Sequence, residues 1–225
     1  MQTRYIAFLF ALIPVIGFIS IERNLHDNTA LAKGNNKKKH KPNKLVEIPQ
    51  DRNEETGIVI GNKNSPHELI LFSSLTCSGC KKFHKTILPE ILQQFKDLKI
   101  RLEFYIDSAP ALETVKMINI KDLTVKQKMN IIEAYFENQK KIDDLQNKAK
   151  IYFIHDMVED LGIAKADIKK ASADEALAKE ILAHFKQVSN STTSEYLPTL
   201  IMNKETYKGS NDSLNEIKKF IKAHI

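Results

Sequence analysis

Cys77 and Cys80 are the only cysteines in a chain of 225 residues, and they stand in the stretch Thr76-Cys77-Ser78-Gly79-Cys80. Two thiols three positions apart suit metal ligation, a structural bridge, a buried inert pair or reversible thiol–disulfide exchange. Structural zinc takes four protein ligands. Cys77, Cys80 and His84 would supply three, no second cysteine pair exists, and the other six histidines are scattered without ligand spacing. A structural bridge gains most by closing a long loop, whereas this gap holds two residues. Exchange chemistry asks for one sulfur that ionises and a second within reach of it, and the CxxC spacing suits that best.

The elements that must position these sulfurs are legible on both sides. Glu68-Leu69-Ile70-Leu71-Phe72 reads as a strand, preceded by a Gly61–Pro66 turn cluster and a shorter strand over Gly57–Ile60. From Cys80 onward Phe83, Ile87, Ile91 and Phe95 recur at helical spacing, with Pro89 set to kink or restart the helix. A strand that hands the chain to a helix starting near Cys77 puts that sulfur at the helix's positive end, where unpaired amides stabilise a thiolate. Cys80, one turn deeper, is then the shielded partner that displaces whatever Cys77 has attacked. Gly79 gives the turn room and Ser78 adds no bulk.

Further along, Lys99–Ile106 alternates as a strand, with Ile100, Leu102, Phe104 and Ile106 on one side. The character then changes. Val125, Met129, Ile132 and Phe136 mark a helix capped by Thr124, Ile151–Leu161 a second, and Leu177, Ile181, Phe185 and Val188 a third. Glu195–Asn203 returns to strand composition, Tyr207 marks a short added strand, and Asp212–Ile225 a last helix. Met117, Met129, Met157, Phe83 and Phe95 read as core. No internal repeat is present. Strands interrupted by an all-helical block predict one mixed α/β sheet with a helical insertion.

The net charge of +6 is local in origin. Six lysines and no acid lie in residues 33–44 (KGNNKKKHKPNK), and two basic residues balance two acidic ones in residues 1–32, which leaves 26 of each sign in the rest. The folded part is therefore neutral, and a nucleic-acid-binding face is not expected. Arg4 followed by the apolar run Tyr5–Ser20 and the later Ala30-Leu31-Ala32 reads as a cleaved signal peptide, with a retained, tilted membrane anchor as the alternative. Either sends the remainder across a membrane, into surroundings where a pair of inert free thiols is out of place.

Over about Gly57–Ile225 the sequence resembles the DsbA-like thiol–disulfide oxidoreductases of the thioredoxin superfamily. The markers are Ile60-Gly61-Asn62, Leu71-Phe72 leading to Cys77-Ser78-Gly79-Cys80, Lys82-Phe83-His84, Leu88-Pro89-Glu90, and the late Leu197-Pro198-Thr199-Leu200 followed by Met202-Asn203. The resemblance implies a thioredoxin-like mixed sheet with an inserted helical domain. The expected layout is residues 1–32 as signal peptide or anchor, 33–56 as basic flexible linker, and 57–225 as the domain. Within it, 57–108 and 191–225 form the thioredoxin fold and 109–190 the insertion. Cys77 is then the nucleophile, Cys80 the resolving thiol, and Pro198, in cis, forms with Leu197 the edge that docks a substrate strand. Ser78, Gly79 and His84 support the site, and His84 reads as scaffold on the helix face in preference to a base beside Cys80.

No metal or diffusible cofactor is expected beyond a redox-active Cys77–Cys80 disulfide. Partners would be cysteine-containing proteins of the bacterial envelope and a membrane redox partner, in a periplasmic location with tethering by residues 5–20 as a variant. A monomer is expected, because Leu45–Gly57 is short for a dimerisation module. The alternatives are an oligomeric isomerase or reductase kept reduced by its partner, and a non-catalytic binding or assembly factor of the same fold. Two departures from the family pattern bear on strength. Ser78-Gly79 replaces the frequent Pro-His, and Leu71 stands where many members carry a buried acid. Both predict a less stabilised thiolate than in the strongest oxidants, and a more reducing pair.

Overall fold

The structure, a computed structural model, describes residues 57–191 and 196–225. The expected signal segment, the lysine-rich linker and its approach lie outside the described residues. Among the described residues no helix is long and apolar enough to cross a membrane.

Strand β2 (Glu68–Ser74) runs through the middle of a five-stranded sheet of order β1 (Ile58–Gly61), β3 (Lys99–Tyr105), β2, β4 (Thr199–Met202), β5 (Glu205–Thr206). β2 and β3 are parallel and every other pairing is antiparallel, with Leu71 opposite both Leu102 and Leu200. Leu69, Ile70, Leu71 and Phe72 are all buried, as the unbroken apolar run of a strand covered on both faces requires. Gly61 ends β1 at φ +77, and a Cβ there would collide with the Leu98 carbonyl oxygen, so only glycine fits. After Thr206 the ladder lapses, although Tyr207 N–H still donates to the Leu200 carbonyl.

Between β2 and β3 the chain forms α1 (Ser78–Thr86) and α2 (Leu88–Gln94). Pro89 sits in the first turn of α2, where a missing N–H costs nothing, so it restarts the helix as the sequence indicates. Phe95, expected in the core, is the C-cap of α2 and only half-buried; the backbone has already left the helix there.

Among the described residues, five helices separate β3 from β4: α3 (Ala109–Ile118), α4 (Val125–Asp144), α5 (Asn147–Asp160), α6 (Lys165–Ala173) and α7 (Glu175–Ser191). The other four all pack on α3, which is buried from Ala111 to Ile118. Thr124 caps α4 in a reciprocal capping box with Gln127. The buried face of α4 is Ile131, Ile132, Tyr135, Phe136, Gln139 and Ile142; Val125 is 48% exposed and Met129 half-buried. The fours-spaced stripe of the sequence thus overlaps the real face only in its later turns. The alternation of β3 also conceals something. The side opposite Ile100, Leu102 and Phe104 carries Arg101 and Glu103, yet both are buried. α7 covers Glu103, with His184 Nε2 at 2.7 Å from its Oε2 and Phe185 edge-on to Tyr105, which in turn meets Phe72. Helix α8 (Leu214–Lys222) buries Ile217 and Ile221.

A helix buried all round must satisfy its polar side chains internally. On α3, Glu113 accepts from His155 Nε2 of α5 at 2.6 Å and pairs with Lys116 at 3.5 Å, and Lys116 donates to the Ser172 carbonyl of α6. Burial alone would raise the Glu113 pKa, but the hydrogen bonds to His155 and Ser172 and the Lys116 charge outweigh it and hold the pKa below the ordinary value. A carboxylate with a depressed folded pKa contributes stability above its unfolded pKa of 4.5 and loses it as pH falls through the folded value. Glu113→Gln should therefore destabilise by about 3 kcal/mol near neutral pH, the scale of a broken buried ion pair. In urea melts the gap from the parent should close below pH 4.5, and a gap independent of pH contradicts the assignment.

Candidate active site

At the C-terminal end of β2 the chain turns through Leu75 and Thr76, and Cys77 becomes the N-cap of α1. Its backbone is extended (φ −85, ψ 121) and its sulfur accepts the Cys80 N–H at 3.1 Å. Sulfur here does what a Ser or Asp oxygen does in an ordinary cap. No acid occupies the first turn, so nothing on the helix itself competes for the positive end. Cys77 is half-buried, Ser78 and Gly79 are exposed, and Cys80 is fully buried. A Cβ on Gly79 would make only ordinary contact, 3.7 Å from both Cys77 Sγ and the Leu197 carbonyl. Gly79 thus keeps the mouth over the sulfur open; the backbone itself does not require it.

Opposite the sulfurs, the Leu197–Pro198 peptide is cis and sets the Leu197 carbonyl 3.8 Å from Cys77 Sγ. This turn is held from both sides. Thr199 donates to the Tyr196 carbonyl at 2.6 Å, and Asn211 Nδ2 donates to the Pro198 carbonyl at 2.6 Å. Next to Asn211, Asp212 pairs with Lys82 of α1 at 2.9 Å, though an exposed pair like this adds little. Leu197 is half-buried and Tyr196 is 76% exposed.

The two thiols share a proton unequally. The Cys80 S–H, donating to Cys77, lowers the Cys77 pKa most; burial opposes it, and the backbone amides of Cys80 and Gly79 reinforce it, bringing the group to about 6. The Cys80 pKa is pushed up by that same bond to Cys77 and by burial. At neutral pH one sulfur is an accessible thiolate and the other a buried thiol. Thiol–disulfide exchange asks for such a pair, one sulfur that ionises and a second within its reach.

Sequence reasoning brought together Cys77, Ser78, Gly79, Cys80, Leu197 and Pro198, and these residues meet here. His84 lies elsewhere on α1: it is buried, its Nε2 is 3.2 Å from Ser73 Oγ, and its ring is 5.0 Å from that of Phe136. Among the described residues no cluster of three or more His, Cys, Asp or Glu side chains could hold a metal ion. Leu71, which stands where many members carry an acid, is buried in the core.

Three residues escaped the sequence. Asp107, just past β3, accepts from Ser74 Oγ at 2.8 Å and from Thr76 Oγ1, while its Oδ1 is buried without a partner. Ser74 then serves both cysteines: its carbonyl accepts the Cys77 N–H at 3.3 Å and its N–H donates to Cys80 Sγ at 3.4 Å. Gln139 of α4 reaches the Leu75 carbonyl at 2.6 Å and ties the helical block to the turn before Cys77. Asp107 follows an alternating strand and could have been flagged as an acid at a strand's C-terminal end; Ser74 and Gln139 carry no such signal.

The thioredoxin family model matches residues 53–223. No curated protein matches the chain. Among solved structures, α-DsbA1 of Wolbachia pipientis superposes with a TM-score of 0.64 at 13% identity, covering 80% of this chain and 94% of that one. BdbD from Bacillus subtilis, in its oxidised form, gives 0.63 at 18% identity over 76% and 93%. MdbA, a thiol-disulfide oxidoreductase from Actinomyces oris, gives 0.59 at 14% over 78% and 92%. At such identities the likeness is one of fold.

Two outcomes follow from the geometry. Iodoacetamide should label Cys77 and leave Cys80 unmodified in the folded, reduced protein, with a rate that falls as pH drops through about 6; a midpoint near 9.0, the ordinary thiol value, refutes the poised thiolate. Asp107→Asn keeps an acceptor for Ser74 and Thr76 but removes a charge that raises the Cys77 pKa. The midpoint should therefore move down, and an upward move would mean that the carboxylate's grip on the turn matters more than its charge.

Proposed function

The chain belongs to the thioredoxin family and has a fold like that of DsbA-like proteins, and we propose on that footing that it is a protein thiol–disulfide oxidoreductase. One observation carries the reading. The Cys77 sulfur is a half-buried helix cap with a pKa lowered to about 6, facing a carbonyl beside a cis proline, with a buried thiol behind it.

The chemistry follows from which sulfur leaves more easily. In the oxidising direction a substrate thiolate attacks Cys77 Sγ, the Cys77–Cys80 bond breaks, and Cys80 takes the electron pair and a proton. A second substrate thiolate then attacks the substrate sulfur of the mixed disulfide, the substrate disulfide forms, and Cys77 departs as the thiolate its surroundings stabilise. Two electrons have passed from substrate to protein. Read backwards, the same steps reduce a disulfide. Neither direction needs a metal or a diffusible cofactor.

Leu197 and Pro198 would dock an extended substrate segment alongside the sulfur, and the helices of residues 109–190 would border the site with apolar surface. Arg4, the apolar run Tyr5–Ser20 and the later Ala30-Leu31-Ala32 favour an exported protein, periplasmic and cleaved or tethered by residues 5–20, acting on envelope proteins and recycled by a membrane redox partner. A Cys77 pKa of about 6 lies between the ~3.5 of the strongest oxidant of this type and the ~7 of thioredoxin. The pair should accordingly have a potential between about −120 and −270 mV.

Equilibration with glutathione redox buffers, followed by acid quenching and mass analysis, tests this: a two-electron transition should appear in that interval and vanish in Cys77→Ala. Cys80→Ala should accumulate mixed disulfides with cysteine-bearing proteins, released by reductant. A parent protein whose cysteines never join at any buffer ratio defeats the reading.

A further inference from the structure

The exchange proposed above needs a substrate backbone held beside Cys77, and the turn at residues 196–198 is where it would lie. Three successive carbonyls of that turn have different tasks. The Tyr196 carbonyl accepts from Thr199 Oγ1 at 2.6 Å, and the Pro198 carbonyl accepts from Asn211 Nδ2 at 2.6 Å. The Leu197 carbonyl between them faces Cys77 Sγ at 3.8 Å. Among the described residues the Cys77 S–H is its one hydrogen-bond donor, and that proton is gone once the sulfur is a thiolate. An amide of an incoming segment is the donor this carbonyl then lacks.

Few torsions decide where the Leu197 carbonyl points. The peptide on either side of Pro198 is planar and the pyrrolidine ring locks φ, so only the Pro198 ψ turns one plane against the other. Thr199 is buried at the start of β4 and pairs with Phe72 of β2, which anchors the far plane. The Asn211 bond holds the carbonyl of that same plane. Only an amide nitrogen can face a carbonyl oxygen as donor, so the partner decides which way round the Asn211 side chain lies.

Asn211 is itself set in place by its neighbours. Ser210 Oγ accepts the Asp212 N–H at 3.3 Å, and the Ser210 carbonyl accepts from the Ser213 N–H and the Tyr207 hydroxyl, each at 3.0 Å. Tyr207 lies so close over Gly209 that a Cβ there would strike its ring. Immediately beyond the loop, α8 buries Ile217 and Ile221. Asp212 also ties the loop to Lys82 of α1, but that pair is exposed and is the weaker link.

We propose that Asn211 is a positioning residue for substrate docking: it fixes the Pro198–Thr199 peptide and so keeps the Leu197 carbonyl beside the sulfur, where the backbone of a polypeptide substrate meets it. This rests on the exchange reading and adds the residue that sets where the substrate lies. The donors that stabilise the Cys77 thiolate are the Cys80 S–H and the Cys80 and Gly79 amides, so the Asn211 bond is separate from the acidity of the sulfur. It acts on substrates with a backbone to dock and leaves small disulfides alone.

Two probes with one leaving group separate docking from chemistry. In each, thionitrobenzoate is joined through a disulfide to a thiol, either the central cysteine of a short extended peptide or 2-mercaptoethanol. The Cys77 thiolate of the reduced full chain attacks the sulfur of that thiol, the new S–S bond forms there, and coloured thionitrobenzoate leaves with the electron pair. Cys80 then attacks Cys77, the internal disulfide forms, and the released thiol takes up a proton in place of the one Cys80 gives up. Asn211→Asp keeps the size of the side chain but points an acceptor at the Pro198 carbonyl. The peptide concentration that gives half the maximal rate should rise about tenfold, the upper scale of one hydrogen bond. The maximal rate, and the rate with the mercaptoethanol probe, should stay at the parent's values. Asn211→Ala, which admits water to the carbonyl, should show the same split more weakly and decides the matter if the Asp variant fails to fold. Equal losses toward both probes, or no loss toward the peptide, overturn the proposal. A parent that prefers neither probe overturns it too. A parent that releases thionitrobenzoate from neither probe, or never forms the internal disulfide, sinks the exchange reading as well, and is recognised without any variant.

Discussion

The acceptance of the Cys80 N–H by the Cys77 sulfur is the contact on which the rest depends. It closes the first turn of α1, satisfies an amide that would otherwise be unpaired, and fixes the sulfur over the helix's positive end. A thiolate is a better acceptor for that amide than either a thiol or a disulfide sulfur. Helix capping and redox state are therefore coupled: reduction improves the cap, and oxidation weakens it. In the exchange proposed above, a reduced form favoured in this way would make the disulfide readily given up, and the oxidising tendency of the pair would be in part the stability of one helix terminus.

That contact survives only if the turn before it is rigid, and most of the molecule contributes to rigidity there. β2 enters from the middle of the sheet, fixed on both sides by β3 and β4. Ser74 then grips both cysteines through its backbone while its hydroxyl is held by Asp107. Gln139 pins the next carbonyl from the helical block. The block is itself a polar construction around α3, where Glu113, His155 and Lys116 satisfy one another out of water. A slip of the block relative to the sheet would be felt at Leu75, one residue from the turn's end.

The parts of this arrangement that a linear reading reaches are those with local signatures. Cys77-x-x-Cys80 after an apolar run, Pro89 inside a helical pattern, and Thr124 three positions before Gln127 each announce their geometry within a few residues, and each occupies the element expected of it. Pro198 needed the family resemblance, because the sequence contains nothing that separates it from other prolines. Gln139, Ser74 and the task that Asp107 performs lay beyond reach for a different reason. Their partners are distant in the chain, 33 positions between Ser74 and Asp107 and 64 between Leu75 and Gln139, and Ser and Gln are commonplace at a surface. The buried Arg101 and Glu103 were hidden in the same way, since period-two alternation shows that two faces differ but not whether a helix will cover the polar one.

The acidity of Cys77 shows which groups act on the sulfur where the family's imidazole is missing. Without an imidazole between the cysteines, the resemblance argues for a weaker thiolate. The donors that remain, the Cys80 S–H and the amides of Cys80 and Gly79, belong to the backbone path and to the second cysteine, so they persist whatever residues fill the gap. They carry the pKa down to about 6 against the resistance of burial and of Asp107. Loss of an acid at Leu71 does not leave the site free of carboxylate, because Asp107 brings one from the adjacent strand and spends its Oδ2 on the turn. The intermediate acidity is thus a balance between a backbone that any CxxC helix terminus provides and a charge this chain retains because the same carboxylate holds its turn in place.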